Sequence, residues 1–342
     1  TYLKIVNCYI RCTKDYTNDR RGDCGRLVRE ISCEYVVKLV KLTLFTNKQL
    51  DYLNSYLIND ILCALLEQIC SKIDETRYVA GCALVNLLNE KSLLNIQHRS
   101  ILEKLFLSDT QLEWRNAQVI FPLVVQLIEY EEYRYVIWKN CLITSGDSTE
   151  KSLTGASCAL NNYLKLNEKN VQLFELLLND LLKLFFDTKN QLRVYQPCIQ
   201  AFERLLSQST FQFYYEHCQQ HFITICSEII HSIESTVRTK QRLINDMKLN
   251  VSIIRFYCSL IQFNNSELKN KVIQLLTNYF QHDYPWIRRQ TAQYLYETCV
   301  MYADCFVDDN TYETILNILT ETNWDQNIEQ LTNIKQTLLN AF

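Results

Sequence analysis

Only five glycines and three prolines occur in 342 residues, and this scarcity limits the possible fold more than any other property of the chain. Hairpins and strand boundaries draw on Gly and Pro for backbone angles that other residues avoid, so a chain poor in both makes long elements. With 48% hydrophobic and 21% charged residues, the composition is that of a packed protein rather than a disordered one. The expectation is an all-α fold.

Apolar periodicity agrees with that expectation. A short helix is predicted up to about residue 16, a longer one over 24–45, and a third over 49–72, where Leu50, Leu53, Leu57, Ile61 and Leu65 recur at steps of three and four. Asp74 opens the next, through Arg77, Ala80, Leu84 and Leu87. Ser108 with Gln111, and Asp147 with Glu150, read as caps followed three positions later by a side chain that reaches back. Between them, 119–128 and 131–143 form an apolar pair. In 167–187, Val171, Phe174, Leu178, Leu181, Leu182 and Phe185 make a wide stripe, as in a helix stacked between two neighbours. Further on come a helix kinked or started near Pro197, the aromatic cluster Phe211, Phe213, Tyr214 and Tyr215, and one long helix over 237–263. A helix capped at Ser266, another with Pro285 in its first turn, and a last pair over 310–320 and 326–339 around Trp324 complete the reading.

The stretch 15–30 is the most specific. Gly22 and Gly25 lie three residues apart among Asp15, Tyr16, Arg20, Arg21, Asp23 and Arg29. Glycine supplies a positive φ or lets another backbone come close, and Asp23 is placed to cap a helix starting at Cys24. Such a turn either fixes the angle between two helices or presents Arg20, Arg21 and Asp23 to a partner.

Arg29, Arg77 and Arg288 each precede a small residue by three positions (Ser32, Ala80, Thr291) and an aliphatic one by seven (Val36, Leu84, Leu295). An arginine near the start of a repeat's second helix can bridge to a neighbouring turn, while the small residue permits close helix approach. The spacing of 48 between Arg29 and Arg77 is near the upper end of a HEAT-type period. The chain therefore reads as an α-solenoid of HEAT/armadillo-like helix pairs, roughly seven of them, forming one continuous domain over 1–342.

Several function classes are disfavoured. A net charge of -3 lacks the basic excess of a nucleic-acid binder, and Arg238, Lys240 and Arg242 read as a solvated helix face. Fifteen cysteines without a Cys-x-x-Cys pair read as free thiols in a reducing compartment, where the Asn250 and Asn264 sequons and the Arg21-Gly22-Asp23 tripeptide have no role. No apolar run approaches the ~20 residues of a membrane span, and no signal-peptide pattern opens the chain. Phosphate-binding, nucleophile-elbow and zinc-protease motifs are all missing, and no cofactor is expected. Glu129, Glu131 and Glu132 read as a helix start with no histidine near, rather than acid/base groups. His217 and His221, at i, i+4, have the spacing of two metal ligands but no evident third.

The signature Asp15-Tyr16-Thr17, Asp19, Arg21-Gly22-Asp23, Gly25, Val28-Arg29-Glu30 resembles the tubulin-folding cofactor D family. Three further stretches follow in that family's order: Lys72-Ile73-Asp74 with Arg77, Ala80 and Gly81; Trp286-Ile287-Arg288 with Thr291, Ala292, Tyr296, Glu297 and Thr298; and Asn323-Trp324-Asp325. The chain departs at Leu27, where tryptophan is usual in the family, and at Thr154, where arginine is. The resemblance implies the C-terminal part of a long helical-repeat chaperone, cytoplasmic and cytoskeleton-associated. Its implied partners are β-tubulin, the tubulin cofactors C and E, and an Arf-like small GTPase. It also implies a role in assembling or dissociating the α/β-tubulin heterodimer, with GTPase-activator activity in the complex rather than an active site. The alternatives are a general HEAT scaffold of transport or phosphatase-assembly type and a metal-dependent enzyme at His217 and His221.

Overall fold

The computed structural model describes residues 2–20, 22–46, 53–108, 112–146, 153–239, 246–305 and 309–342. The fold is all-α; beside the helices stands one two-residue antiparallel ladder that pairs Asn18 with Asp23 and Asp19 with Gly22. The helices gather into two compact units, Thr1–Leu166 and Asn167–Phe342. Within each, helix pairs pack on helix pairs as in an α-solenoid of HEAT or armadillo kind.

In the first unit α1 (Tyr2–Cys12) pairs with α2 (Gly25–Thr46), and α3 (Ser55–Ile69) with α4 (Asp74–Leu88). α2 runs along α4, and α1 touches α3. α3 is the centre, with Ile58, Ile61, Leu62, Leu65 and Ile69 fully buried against neighbours that include α4 and α7 (Glu131–Gly146). Each such aliphatic side chain contributes about 1.5–3 kcal/mol on burial. The Thr144 hydroxyl donates to Cys70 O at 2.6 Å, tying α7 to the end of α3. Between α4 and α7 lie two short helices, α5 (Arg99–Phe106) and α6 (Ala117–Val124). α6 contains Pro122, which has no N–H to donate, and it passes into a 3-10 turn over Val125–Glu129. A π turn, Leu153–Ser157, leads into α8 (Cys158–Leu166).

The second unit comprises α9 (Val171–Asp187), α10 (Leu192–Ser207), α11 (Gln212–His217), α12 (Gln219–Thr239), α13 (Met247–Leu260), α14 (Ser266–Tyr279), α15 (Pro285–Met301), α16 (Asp309–Glu321) and α17 (Ile328–Ala341). α9 packs on α12, α10 on α13, and α13 on α14 and α15. Phe211 sits edge-on between Phe174 and Phe202, with centroids 5.4 and 5.6 Å away, an arrangement that aromatic quadrupoles favour.

Four helices begin alike. Asn54, Asn170, Asp246 and Asn265 each accept, through the side chain, the N–H of a leucine three residues on: Leu57, Leu173, Leu249 and Leu268. The cap satisfies an otherwise orphan donor, and the leucine, buried in every case, seats the first turn in the core. This moves four predicted boundaries: the helix expected from 49 starts at Ser55, and the one expected from 167 starts at Val171. The long helix over 237–263 does not exist: Val237 belongs to the end of α12, and α13 starts after Asp246. α14 is capped by Asn265, not by Ser266.

Pro197 lies inside α10, which begins at Leu192, while Pro285 occupies the first turn of α15 as predicted. Leu50, Gln111, Asp147, Glu150, Lys240 and Arg242 fall outside the described residues. The described cysteines are free thiols: Cys33, Cys70, Cys141, Cys198, Cys226, Cys258 and Cys299 are buried, and Cys8, Cys24 and Cys158 are exposed. Among the described residues no helix is long and apolar enough to cross a membrane.

Candidate functional site

The three arginines read as repeat markers are all buried, with exposures of 1% (Arg29), 0% (Arg77) and 3% (Arg288). Two of them make the same construction. From the first turn of α4, Arg77 donates backward to Ser71 O at 2.8 Å and forward to Arg115 O at 2.6 Å and Trp114 O at 3.4 Å. Arg288, in the first turn of α15, donates backward to His282 O at 2.8 Å and forward to Trp324 O at 2.7 Å and Gln326 O at 3.2 Å. In both, one planar guanidinium locks the turn before its own helix to a tryptophan-bearing turn 36 to 38 residues later, a fork that a lysine ammonium cannot reproduce. The tryptophans anchor those turns. Trp114 lies against Gly81, where a Cβ would come within 2.1 Å of the indole, and Trp324 stacks on Phe280 at 4.4 Å. Surface pairs run alongside, Arg115 with Glu75 and Arg289 with Asp325.

Arg29 organises the 15–30 turn instead. Its Nη1 donates to Asp15 O at 2.6 Å, and Asp23 grips both terminal nitrogens at 2.9 and 2.6 Å. The guanidinium lies over the Tyr16 ring, 4.5 Å from its centroid. Burial pulls Arg29 toward losing its proton, but the hydrogen bonds and charge of Asp23 outweigh this and its pKa rises. Thr17 donates to Asp15 from its hydroxyl at 2.6 Å and its N–H at 2.9 Å, holding that carboxyl below its ordinary range. The Tyr16 hydroxyl donates to Glu67 Oε1 at 3.0 Å and accepts from Gln68 Nε2, which also donates to Thr13 O. The turn is thereby bolted to α3.

The two glycines do different work. Gly22 has φ +109°, a region L side chains rarely adopt, and Gly25 lies so close to Asp15 that a Cβ would sit 2.3 Å from its carbonyl oxygen. The helix starts at Gly25, one residue later than predicted, and the Asp23 carboxylate serves as the bidentate partner of Arg29. Of the predicted site residues, Asp15, Tyr16, Asp23, Gly25 and Arg29 are therefore joined in one internal network. Arg20 and Gly22 are exposed at its rim, and Arg21 lies outside the described residues. Glu67, Gln68, Trp114 and Phe280 also belong to these networks, and the sequence signal for the tryptophans is the Arg-to-Trp spacing, 37 from Arg77 to Trp114 and 36 from Arg288 to Trp324.

Two other expectations change. A histidine does reach the acidic junction: His98 Nε2 stands 2.8 Å from Glu132 Oε2, with its ring 4.6 Å from that of Tyr130. The local sequence hid this because the two are 34 residues apart. His217 and His221 do not share a helical face, since the helix is interrupted at Cys218 between α11 and α12. His217 Nδ1 bonds Phe213 O and His221 Nδ1 bonds the Tyr214 hydroxyl, both at 2.8 Å. Among the described residues no three His, Cys, Asp or Glu side chains come together to hold a metal. A groove of about 890 Å³ is lined by residues that include Tyr78, Cys82 and Val85 of α4, Phe106 of α5 and Trp114.

The chain is similar to known proteins along its whole length. It is 25% identical over 370 aligned positions to a tubulin-specific chaperone D from Dictyostelium discoideum, with 99% of this chain covered. The chain spans only about a quarter (24%) of that relative's length. No solved structure matches it. The family model described as tubulin folding cofactor D C terminal matches residues 59–242, more than half of the 342. The chain belongs to the tubulin folding cofactor D family.

Proposed function

We propose that this chain is part of a tubulin-folding chaperone that binds β-tubulin. It acts with the tubulin cofactors C and E and an Arf-like small GTPase in assembling or dissociating the α/β-tubulin heterodimer. Any GTP hydrolysis is carried out by tubulin or the small GTPase, and this chain contributes as scaffold and activator, working in the cytoplasm in association with the cytoskeleton. Membership in the cofactor D family, across more than half of the chain, is the observation that carries the reading. The internal geometry is compatible with it: turns locked by buried arginines give a repeat scaffold whose exposed residues keep fixed positions. The two units work as one continuous repeat scaffold in this reading.

The contact assigned to the 15–30 turn is the exposed Arg20, with Arg21 next to it in the sequence as the second candidate, directed at an acidic partner surface. The network of Asp15, Tyr16, Asp23, Gly25 and Arg29 holds the turn that carries Arg20. The test is gel filtration of the chain with tubulin, beside Arg20→Glu and Arg21→Glu variants whose helix content is checked by circular dichroism. Co-elution that is lost in the folded variants supports the contact. Co-elution untouched by both variants removes the turn from the interface, and no co-elution at all removes tubulin capture from this part of the protein.

A further inference from the structure

The open side of α2 is apolar apart from one exposed ion pair, Lys38 with Glu34 at 3.3 Å. Leu27 (64% exposed), Ile31 (54%), Tyr35 (45%), Leu42 (57%) and Phe45 (87%) recur at helical spacing along one face, while the core-facing stripe of Val36, Val37 and Val40 is sealed. The internal register identifies that open face. Arg29 and Arg77 hold the same place in the sequence pattern, each three positions before a small residue and seven before an aliphatic one, so in that register each α4 residue corresponds to the α2 residue 48 positions earlier. On α4, Thr76 donates to Glu30 Oε1 of α2 at 2.8 Å, and Val79 and Ala83 share a cleft with Glu34, Val37, Lys38 and Lys41 of α2. Thr76, Val79 and Ala83 thus mark the side of α4 that receives the preceding second helix. Their equivalents on α2 are Val28, Ile31 and Tyr35, at 38%, 54% and 45% exposure. The second unit repeats the rule. Tyr294 of α15, 211 positions after Ala83 just as Arg288 follows Arg77, takes Arg255 of α13 over its ring at 5.5 Å.

We propose that this face of α2 is the docking surface for a further helix pair of the same repeat type, supplied by the longer polypeptide of which this chain is part. The surface continues, in register, an interface the chain already makes between α2 and α4. A head-to-tail second copy fits poorly, because the exposed residues of α17 include Asn333, Gln336, Thr337 and Asn340, polar side chains that offer no apolar match. The relative that this chain matches has about three quarters of its length outside the match, ample for more helix pairs. This inference stands independently of tubulin binding.

Hydroxyl-radical footprinting of the full-length protein beside the 342-residue chain tests it. In the shorter chain Leu27, Ile31, Tyr35 and Phe45 oxidise readily, as the exposed Leu94 does; in the full-length protein their oxidation falls to the level of buried Leu57, with Leu94 unchanged. Ile31→Glu lowers the unfolding temperature of the full-length protein and leaves that of the shorter chain unmoved. Equal oxidation in both proteins overturns the proposal. So does protection of the shorter chain that grows with its own concentration, which assigns the face to a second copy. Protection of the full-length protein only after tubulin is added assigns it to that partner instead and likewise overturns the proposal.

Discussion

Arg77 tests whether buried arginines hold the repeats together. Its strong donations go to Ser71 O and Arg115 O, at 2.8 and 2.6 Å. Hydrogen bonds from a charged group contribute about 1.5–3 kcal/mol each, so the two carbonyls together account for about 3–6 kcal/mol. The contact to Trp114 O, at 3.4 Å, is long and adds little. Asp74 pairs with the same guanidinium, but its side chain is 67% exposed, so solvent limits that pair to about 0.5 kcal/mol. Arg77→Ala is therefore expected to cost about 4 kcal/mol, a large share of the 5–15 kcal/mol typical of a domain. Asp74→Ala should cost less than about 1 kcal/mol. Arg77→Lys should fall between them, since an ammonium keeps the charge but cannot serve turns on both sides at once. Urea unfolding of the whole chain measures the loss, and hydrogen exchange at the α4 amides assigns it to the first unit. A cost for Arg77→Ala below about 1.5 kcal/mol, with α4 protection intact, would refute the reasoning, because Ser71 O and Arg115 O would then have found other donors.

Gly25→Ala forces a Cβ to 2.3 Å from Asp15 O, a backbone atom that cannot swing aside, so the variant should lower the melting temperature by several degrees and raise hydrogen exchange across 15–30; an unchanged melting curve would show that the turn opens freely. Asp15, held low by Thr17, Glu103, held low by Arg99 and Lys91, and Glu132, held low by a backbone hydrogen bond and His98, all have depressed pKa values. Their contribution to stability is complete above the ordinary carboxylate value of about 4 and disappears as pH falls through the lower folded values; Asp15→Asn should flatten that acid limb, and an identical limb in wild type and variant would contradict the assignment. Burial pushes the thiols of Cys33 and Cys299 up to about 12 and that of Cys63 up to about 11. Iodoacetamide at neutral pH should modify Cys8, Cys24 and Cys158 in the native chain and reach Cys33 and Cys299 only on unfolding, an order that peptide mass spectrometry reads directly.

Much of this protein was legible in one dimension. The dearth of Gly and Pro and the recurrence of leucines at three and four residues depend only on local backbone geometry, so the all-α class and most helices follow from the sequence. The need for glycine at 22 and 25 was legible for the same reason, as was the recurrence of Arg29, Arg77 and Arg288, of which the structure makes only Arg77 and Arg288 alike. The helix starts at Asn54, Asn170, Asp246 and Asn265 share a local mark, an Asx followed three residues later by leucine, but the periodic stripes by themselves conceal all four. What the tertiary structure decided is pairing over distance. Arg77 finds the Trp114 turn, Arg288 the Trp324 turn and His98 finds Glu132 only because stacked helices bring together segments 34 to 38 residues apart. The helix interruption at Cys218 is likewise not evident from periodicity, and it separates two histidines that helical spacing alone would place on one face. Local periodicity encodes which side of a helix is apolar, and the packing of one repeat on the next determines which residue that side meets.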